Sequence, residues 1–138
     1  MTKLLIDTNI VIDLLAKREP FYTESALLFS LADKKKIKLS VLSLTIANTN
    51  YILLREKKSI EAKLILRKFR LIVDVLSLDD KVIGLALNDN DFEDFEDGLQ
   101  YYSAIENNQD MIITRNLKDY KKSKIPVMTP EQFLKTFK

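Results

Sequence analysis

The stretch Lys3-Leu4-Leu5-Ile6-Asp7-Thr8-Asn9 decides the fold. A short apolar run ends here in a carboxylate and two further side chains that form hydrogen bonds, which is typical of a buried strand that stops at a turn. Apolar residues then recur at helical spacing from Ile10 onward. The pattern predicts a strand that ends at Asp7 and a helix that begins directly after it.

An acidic residue at this position has two explanations. Asp, Thr and Asn are common helix N-caps, so Asp7 could simply cap the helix that follows. Alternatively, Asp7 lies in the crevice at the carboxyl ends of parallel strands, where open α/β sheets bind their ligands. The other acidic residues of the chain are needed to choose between the two.

The composition excludes several classes of site. The chain has no histidine and no cysteine, which excludes a Ser-His-Asp triad, a histidine zinc site, a thiolate site and a disulfide framework. Its two glycines, Gly84 and Gly98, cannot form a P-loop or a dinucleotide-binding fingerprint. Carboxylates, amides and hydroxyls remain, and these are the ligands that Mg²⁺ and Mn²⁺ prefer. For an enzyme, hard-metal chemistry is therefore favoured.

Length and hydropathy indicate one domain. The 138 residues, of which 46% are hydrophobic, can form one sizeable core, so we expect residues 1–138 to be a single domain. The chain has no apolar run long enough to cross a membrane, and its first residues lack the pattern of a signal peptide. We therefore expect a soluble, cytoplasmic protein.

Charge is unevenly distributed along the chain. The net charge of +2 does not by itself indicate nucleic-acid binding. However, acidic residues cluster between Asp89 and Asp97, and basic residues predominate in the range 115–124. Either run alone is explained by ordinary solvated surface. Together they suit a metal ion that lies beside a phosphate backbone.

Strands that alternate with helices predict an α/β fold with a central parallel sheet of four or five strands and helices on both faces. The later strands are predicted at 37–41, 71–76 and 111–113, with an edge strand at 125–127. Ser43, Ser59 and Thr129 are predicted to cap helices, and Asp79 and Asp80 are predicted to open another as acids of its first turn.

This topology brings distant polar residues together. The carboxyl ends of parallel strands lie at one edge, so Asp7, the range 43–48 and the range 114–119 should meet there. Asp97 should join them because it begins the helix that leads into the fourth strand. Crowded carboxylates repel one another unless a cation compensates, which favours Asp7 and Asp97 as metal ligands rather than caps. For Asp94 and Asp119 both interpretations stay open.

Four motifs in this order resemble the PIN domain family, particularly the VapC-type toxin endoribonucleases. They are Leu5-Ile6-Asp7-Thr8-Asn9, Ser43-Leu44-Thr45-Ile46-Ala47-Asn48, Glu96-Asp97-Gly98-Leu99-Gln100 and Ile113-Thr114-Arg115-Asn116-Leu117-Lys118-Asp119-Tyr120. The resemblance implies a three-layer α/β/α fold with a cluster of acids that binds Mg²⁺ or Mn²⁺ for RNA cleavage. It also implies a homodimer and an antitoxin protein as partner.

By this resemblance, Asp7 corresponds to the first acid of the family and Asp97 to the third. Two positions depart from the family pattern: Asn48 stands where a glutamate is usual, and Asn116 stands at the fourth acid. Asparagine still offers a carbonyl oxygen to a metal but brings no charge. Asp94 and Asp119 would restore some of that charge.

The resemblance also implies roles for the remaining residues. Metal ligands would be Asp7, Asp97, Asp94 and Asn116, with Asp119 as a further catalytic residue. Ligand positioning and contacts to RNA would fall to polar and basic side chains, which are Thr8, Asn9, Asn48, Thr114, Arg115, Lys118, Lys121 and Lys122. One rival hypothesis is a non-catalytic module that binds RNA or protein. Another is an aspartyl-phosphate phosphatase, against which Asn9 argues because such sites resemble D-x-D.

Overall fold

Five parallel strands form the central sheet of the computed structural model, which describes residues 1–137. The strands are β1 (Lys3–Ile6), β2 (Lys38–Leu42), β3 (Asp74–Leu76), β4 (Met111–Ile113) and β5 (Val127–Met128). Their order across the sheet is β3-β2-β1-β4-β5, and each neighbouring pair is parallel. This confirms the predicted parallel sheet and puts β3 and β5 at its edges.

The α-helices pack on both faces of the sheet and make three layers. They are α1 (Thr8–Leu15), α2 (Tyr22–Asp33), α3 (Ser43–Leu53), α4 (Ser59–Phe69), α5 (Asp80–Leu87), α6 (Phe95–Glu106) and α7 (Pro130–Thr136), and a 3-10 helix spans Leu117–Tyr120. None of the helices within residues 1–137 has the length and apolar character needed to span a membrane.

The unbroken apolar run of β1 reflects burial on both faces of the sheet. Successive side chains of a strand point to opposite faces, so Leu4 and Ile6 enter one core and Leu5 enters the other. The first core contains residues of α1, α2, α4 and α7, and the second contains residues of α5 and α6. A strand inside two cores cannot shift its register without exposing apolar side chains.

Several predicted boundaries differ from the structure. The third strand begins at Asp74 rather than at residue 71, because the backbone N–H groups of Leu71 and Ile72 donate to carbonyls at the end of α4. The edge strand is Val127–Met128 rather than 125–127. Ser43 and Ser59 are the first residues of their helices and not their caps.

The predicted cap Thr129 is present, and Asp79, predicted as an acid of the first turn, is the cap of its helix. Asp79 accepts a hydrogen bond from the backbone N–H of Val82, and Thr129 forms a reciprocal capping box with Gln132. In both helices a side chain thus satisfies a backbone donor of the first turn.

The strand order also locates a crevice. The chain passes from β1 to β2 on one side, and β4 lies on the other side of β1. Doubly wound sheets bind ligands at such a switch point, outside the carboxyl ends of the two strands. Asp7 follows β1 and Thr114 follows β4, so both residues lie at this crevice.

Candidate active site

Asp7 is held across the crevice rather than against its own helix. Its backbone N–H donates to the Ile113 carbonyl at 3.0 Å, which continues the pairing of β1 with β4. Asp7 has the N-cap position of α1, but its side chain forms no capping hydrogen bond. Instead, one carboxylate oxygen, Oδ2, accepts a hydrogen bond from the Thr114 hydroxyl at 2.8 Å. With 7% exposure, this carboxylate is buried at the end of the sheet.

Thr114 connects Asp7 to the segment that follows β4. Its hydroxyl oxygen accepts a hydrogen bond from the backbone N–H of Asn116 at 3.1 Å and donates its proton to Asp7. Because a hydroxyl has a single proton, the backbone donor on one side directs that proton toward the carboxylate on the other. Thr114 is buried and therefore orients Asp7 without contact with solvent.

Asp97 lies in the first turn of α6 and faces the same crevice. The Tyr120 hydroxyl donates to Asp97 Oδ1 at 3.4 Å. Burial, together with the negative charges of Asp7, Asp94 and Asp119, raises the pKa of Asp97 to about 7. The carboxylate of Asp97 is therefore near enough to each of the other three to be repelled by it.

In the described part of the chain, no lysine or arginine forms an ion pair with these acids. Burial raises the pKa of Asp7 as well, the Thr114 hydrogen bond opposes that rise, and the charge of Asp119 adds to it. Within residues 1–137, the ion pairs of lysine and arginine involve none of the four carboxylates. A bound divalent cation would offset the repulsion and favour the ionised forms of Asp7 and Asp97.

The oxygen atoms of these side chains suit a hard divalent cation. Carboxylate oxygens of Asp7 and Asp97 are the ligands that Mg²⁺ and Mn²⁺ prefer. The described part of the chain contains no group of three or more acidic side chains arranged to hold a metal ion. Mg²⁺ commonly binds through one or two carboxylates and keeps several waters, so two acids fit this ion better than they fit Ca²⁺.

Asp94 and Asp119 contribute charge at the rim. Asp94 caps α6, since its Oδ1 accepts a hydrogen bond from the Glu96 backbone N–H at 2.8 Å. Asp119 is exposed on the 3-10 helix. Both line an open depression of about 470 Å³ together with Asp97 and with basic side chains, which are Lys118, Lys121 and Lys122. The acidic cluster and the basic stretch of the sequence thus meet at one surface.

The three predicted asparagines are half-buried on the elements around the crevice. Asn9 is the second residue of α1, and Asn48 lies on α3. Asn116 precedes the 3-10 helix and uses its backbone N–H to hold Thr114. Among the described residues, the side chains of Asn9, Asn48 and Asn116 form no hydrogen bond that would tie them to the acids.

Arg115 forms an ion pair on the side of α1. Its guanidinium donates two hydrogen bonds to the buried Asp13, from Nε at 2.7 Å and from Nη2 at 3.3 Å, and lies 3.9 Å from the ring centre of Phe21. Asp13 has 0% exposure and also pairs with Arg18 at 3.1 Å. The predicted contact of Arg115 with the RNA backbone stays a prediction, and this ion pair gives Arg115 a structural role as well.

From the sequence, no role is predicted for Tyr120, Thr45 or Gln100 near the crevice, whereas Thr8 is predicted to position ligands or water. Tyr120 lies between the acids, and only its polar hydroxyl at the end of the last motif could have indicated this. Thr8, Thr45 and Gln100 hydrogen-bond to one another, with 2.9 Å between the two hydroxyls, and so connect α1, α3 and α6 beside the acids. Each of these three residues stands in a quoted motif, but contacts across such distances along the chain leave no local pattern.

Comparisons with known proteins agree with this architecture. The model of the family described as PIN domain (PIN_3) matches residues 3–118. No curated protein sequence matches the chain.

Similar solved structures include VapBC2 from Rickettsia felis bound to a DNA fragment from its promoter, at 19% identity over 92% of this chain and 97% of that chain, with a TM-score of 0.66. A toxin-antitoxin complex from Klebsiella pneumoniae has 19% identity over 92% of this chain and 97% of that chain, with a TM-score of 0.69. VapC20 from Mycobacterium tuberculosis, a sarcin-ricin loop cleaving toxin, has 15% identity over 79% and 86% of the two chains, with a TM-score of 0.61. At such identities the likeness shows a shared fold.

Proposed function

Since the chain belongs to the PIN domain family, we propose that it is a metal-dependent endoribonuclease that hydrolyses RNA phosphodiester bonds. The proposal takes residues 1–138 as a single domain that acts in the cytoplasm. One observation supports it most directly: Asp7 lies close enough to Asp97 to raise its pKa, and no basic side chain of residues 1–137 pairs with either acid. A fold selected for stability alone would not keep such a pair.

In this proposal Asp7 and Asp97 hold Mg²⁺ or Mn²⁺, and Asp94, Asn116 and Asp119 are further candidates at the rim. A bound ion would lower the pKa of a water molecule and counter the charge that develops on the scissile phosphate. Thr114 keeps the Asp7 carboxylate in place, and the buried surroundings exclude water from behind it. The chain has no histidine, so an imidazole cannot act as general base.

The substrate would lie in the depression that Asp97 shares with the three lysines. Lys118, Lys121 and Lys122 would contact RNA phosphates there, and phosphate contacts of this kind make binding weaker as salt rises. Asn9 and Asn48 are proposed to hydrogen-bond to the RNA or to a water at the crevice. Their half-buried positions on α1 and α3 permit this.

We also propose that the protein is the toxin of a VapBC-type pair, with an antitoxin as its partner, and that it forms a homodimer. Support comes from two similar structures: the Rickettsia felis one is VapBC2, and the Klebsiella pneumoniae one is a toxin-antitoxin complex. Co-expression with the product of an adjacent small gene, followed by purification of a complex, tests the partner.

The activity is tested with labelled single-stranded RNA. Cleavage should require Mg²⁺ or Mn²⁺, stop in EDTA, and be lost in Asp7→Asn and Asp97→Asn. Glu96→Gln is the matched control because Glu96 is an exposed acid next to Asp97 that does not line the depression. Cleavage that survives EDTA or both Asn variants would refute the proposal.

A second candidate function is a PIN-like module that binds RNA or protein without cleaving it. Asn48 and Asn116 favour it, because they remove charge where the family resemblance predicts acids. Residues 1–137 also contain no group of three acids arranged to hold a metal ion, which favours this second function as well. RNA that is bound by the purified protein but not cleaved at any metal concentration would identify this function.

A further inference from the structure

Tyr120 is a buried aromatic residue whose ring is fixed by packing. It ends the 3-10 helix, has 3% exposure and belongs to the core between the sheet and α5–α6. Its ring meets Phe92 edge-on, with ring centres 6.2 Å apart. In a close-packed core this ring has little freedom to move, so the position of its hydroxyl is well defined.

The hydroxyl of Tyr120 projects from this core into the group of acids. It donates a hydrogen bond to Asp97 Oδ1, and its surroundings also include the charges of Asp7 and Asp119. A phenol hydroxyl is protonated at neutral pH, so it acts as a donor to the carboxylate.

A comparable contact exists on the other side of the crevice. Thr114 donates to Oδ2 of Asp7, and Tyr120 donates to Oδ1 of Asp97, so each carboxylate has one oxygen held by a hydroxyl from the segment after β4. The second oxygen of each carboxylate is outside these two bonds. Outer groups that hydrogen-bond to ligating carboxylates in this manner orient the ligands for a metal.

We propose that Tyr120 is a positioning residue of the candidate metal centre, and that its hydroxyl holds the Asp97 carboxylate in the orientation in which it binds a divalent cation beside Asp7. This inference rests on the proposed function in one respect, because it takes Asp7 and Asp97 as the metal ligands. The competing explanation is that Tyr120 is only a core aromatic residue.

Tyr101 provides the matched control. It belongs to the same core as Tyr120, has 5% exposure, and stacks on Phe92 with ring centres 4.8 Å apart. Its hydroxyl accepts a hydrogen bond from the Lys124 backbone N–H rather than donating to an acid of the crevice. Removing either hydroxyl therefore disturbs the same aromatic cluster, but only Tyr120→Phe removes a donor to Asp97.

The test measures Mn²⁺ binding to the full chain by isothermal titration calorimetry, without RNA. Tyr120→Phe should weaken Mn²⁺ binding by roughly 10- to 100-fold. Tyr101→Phe should leave the affinity unchanged. Circular dichroism and urea unfolding check that both variants fold. We expect them to fold because both substitutions keep the aromatic ring. Unchanged Mn²⁺ affinity in Tyr120→Phe would overturn the inference.

A double variant gives a second measurement. If Tyr120 acts through Asp97, the effects of Tyr120→Phe and Asp97→Asn on Mn²⁺ affinity are not additive, and additive effects would overturn the inference. A wild-type chain that binds no Mn²⁺ would refute both this inference and the proposed function. Mn²⁺ binding that depends on the Tyr120 hydroxyl in a protein that cleaves no RNA would support the inference and refute the nuclease proposal.

Discussion

Asp97→Asn should make the metal-free protein more stable above neutral pH. Burial and the neighbouring acids raise the pKa of Asp97 from 3.8 to about 7 in the folded chain. In the pH range between these two values the folded state binds the proton more strongly than the unfolded state. The free energy of unfolding of the wild-type protein therefore falls as pH rises from about 4 to about 7, and the neutral amide of the Asp97→Asn variant removes this loss.

The size of the effect follows from the same pKa. A rise from 3.8 to about 7 corresponds to roughly 4 kcal/mol if the whole rise reflects folded-state destabilisation of the charged form. Asp97 is only half-buried, so solvent screens part of the repulsion. We expect Asp97→Asn to increase the free energy of unfolding by roughly 1–2 kcal/mol at pH values above the folded-state pKa, and by little near pH 4.

Urea unfolding in EDTA measures this directly, with wild type, Asp97→Asn and the control Glu96→Gln compared across that pH range. Mg²⁺ should then restore stability to the wild-type protein at high pH and have little effect on Asp97→Asn. A stability difference that does not change with pH would refute the electrostatic reasoning. So would an Asp97→Asn variant that is less stable than wild type above neutral pH.

Three further predictions concern other parts of the fold. Arg115→Ala should lower the free energy of unfolding by roughly 3 kcal/mol in urea titrations, because it removes a partner of the buried Asp13; a loss below about 1 kcal/mol would contradict the ion pair as a structural element. Thr129→Ala should cost about 1 kcal/mol by the same measurement, since it removes the capping box of α7, and an unchanged midpoint would count against that cap. Lys121→Ala with Lys122→Ala should weaken RNA binding and lower the slope of log affinity against log salt by up to about 2, measured by fluorescence anisotropy, whereas an unchanged slope would exclude these phosphate contacts.

Much of the fold could be predicted because its determinants are local or follow from topology. The apolar run of β1 predicts a buried strand, and strands that alternate with helices predict a parallel sheet. Because the strands are parallel, their carboxyl ends then lie at one edge. The errors concern boundaries, as at Leu71, whose backbone N–H completes the end of α4 instead of joining the sheet. Hydrophobic pattern alone does not decide which hydrogen bonds such a terminal residue makes.

The side-chain contacts of the site could not be predicted in the same way. Asp7 has both the sequence position and the backbone geometry of a helix cap, but its carboxylate accepts a hydrogen bond from the hydroxyl of Thr114, which is 107 positions away in the chain. The sequence places Arg115 in a basic stretch, but its guanidinium donates a hydrogen bond to Asp13, 102 positions away in the chain. Local sequence carries no signal for a pair of residues so far apart.

Asn48 and Asn116 stand where the family resemblance predicts acids, and this affects the electrostatics of the proposed site. The charge of Asp7 already raises the pKa of Asp97 without a cation, so carboxylates at positions 48 and 116 would add repulsion to the metal-free fold. Asn48 and Asn116 avoid that cost and keep carbonyl oxygens at both positions. Two hydroxyl donors, Thr114 and Tyr120, then offset part of the repulsion that remains. In the proposed metal centre, this arrangement would let the site fold without an ion, and the carboxylates of Asp7 and Asp97 would still favour a divalent cation.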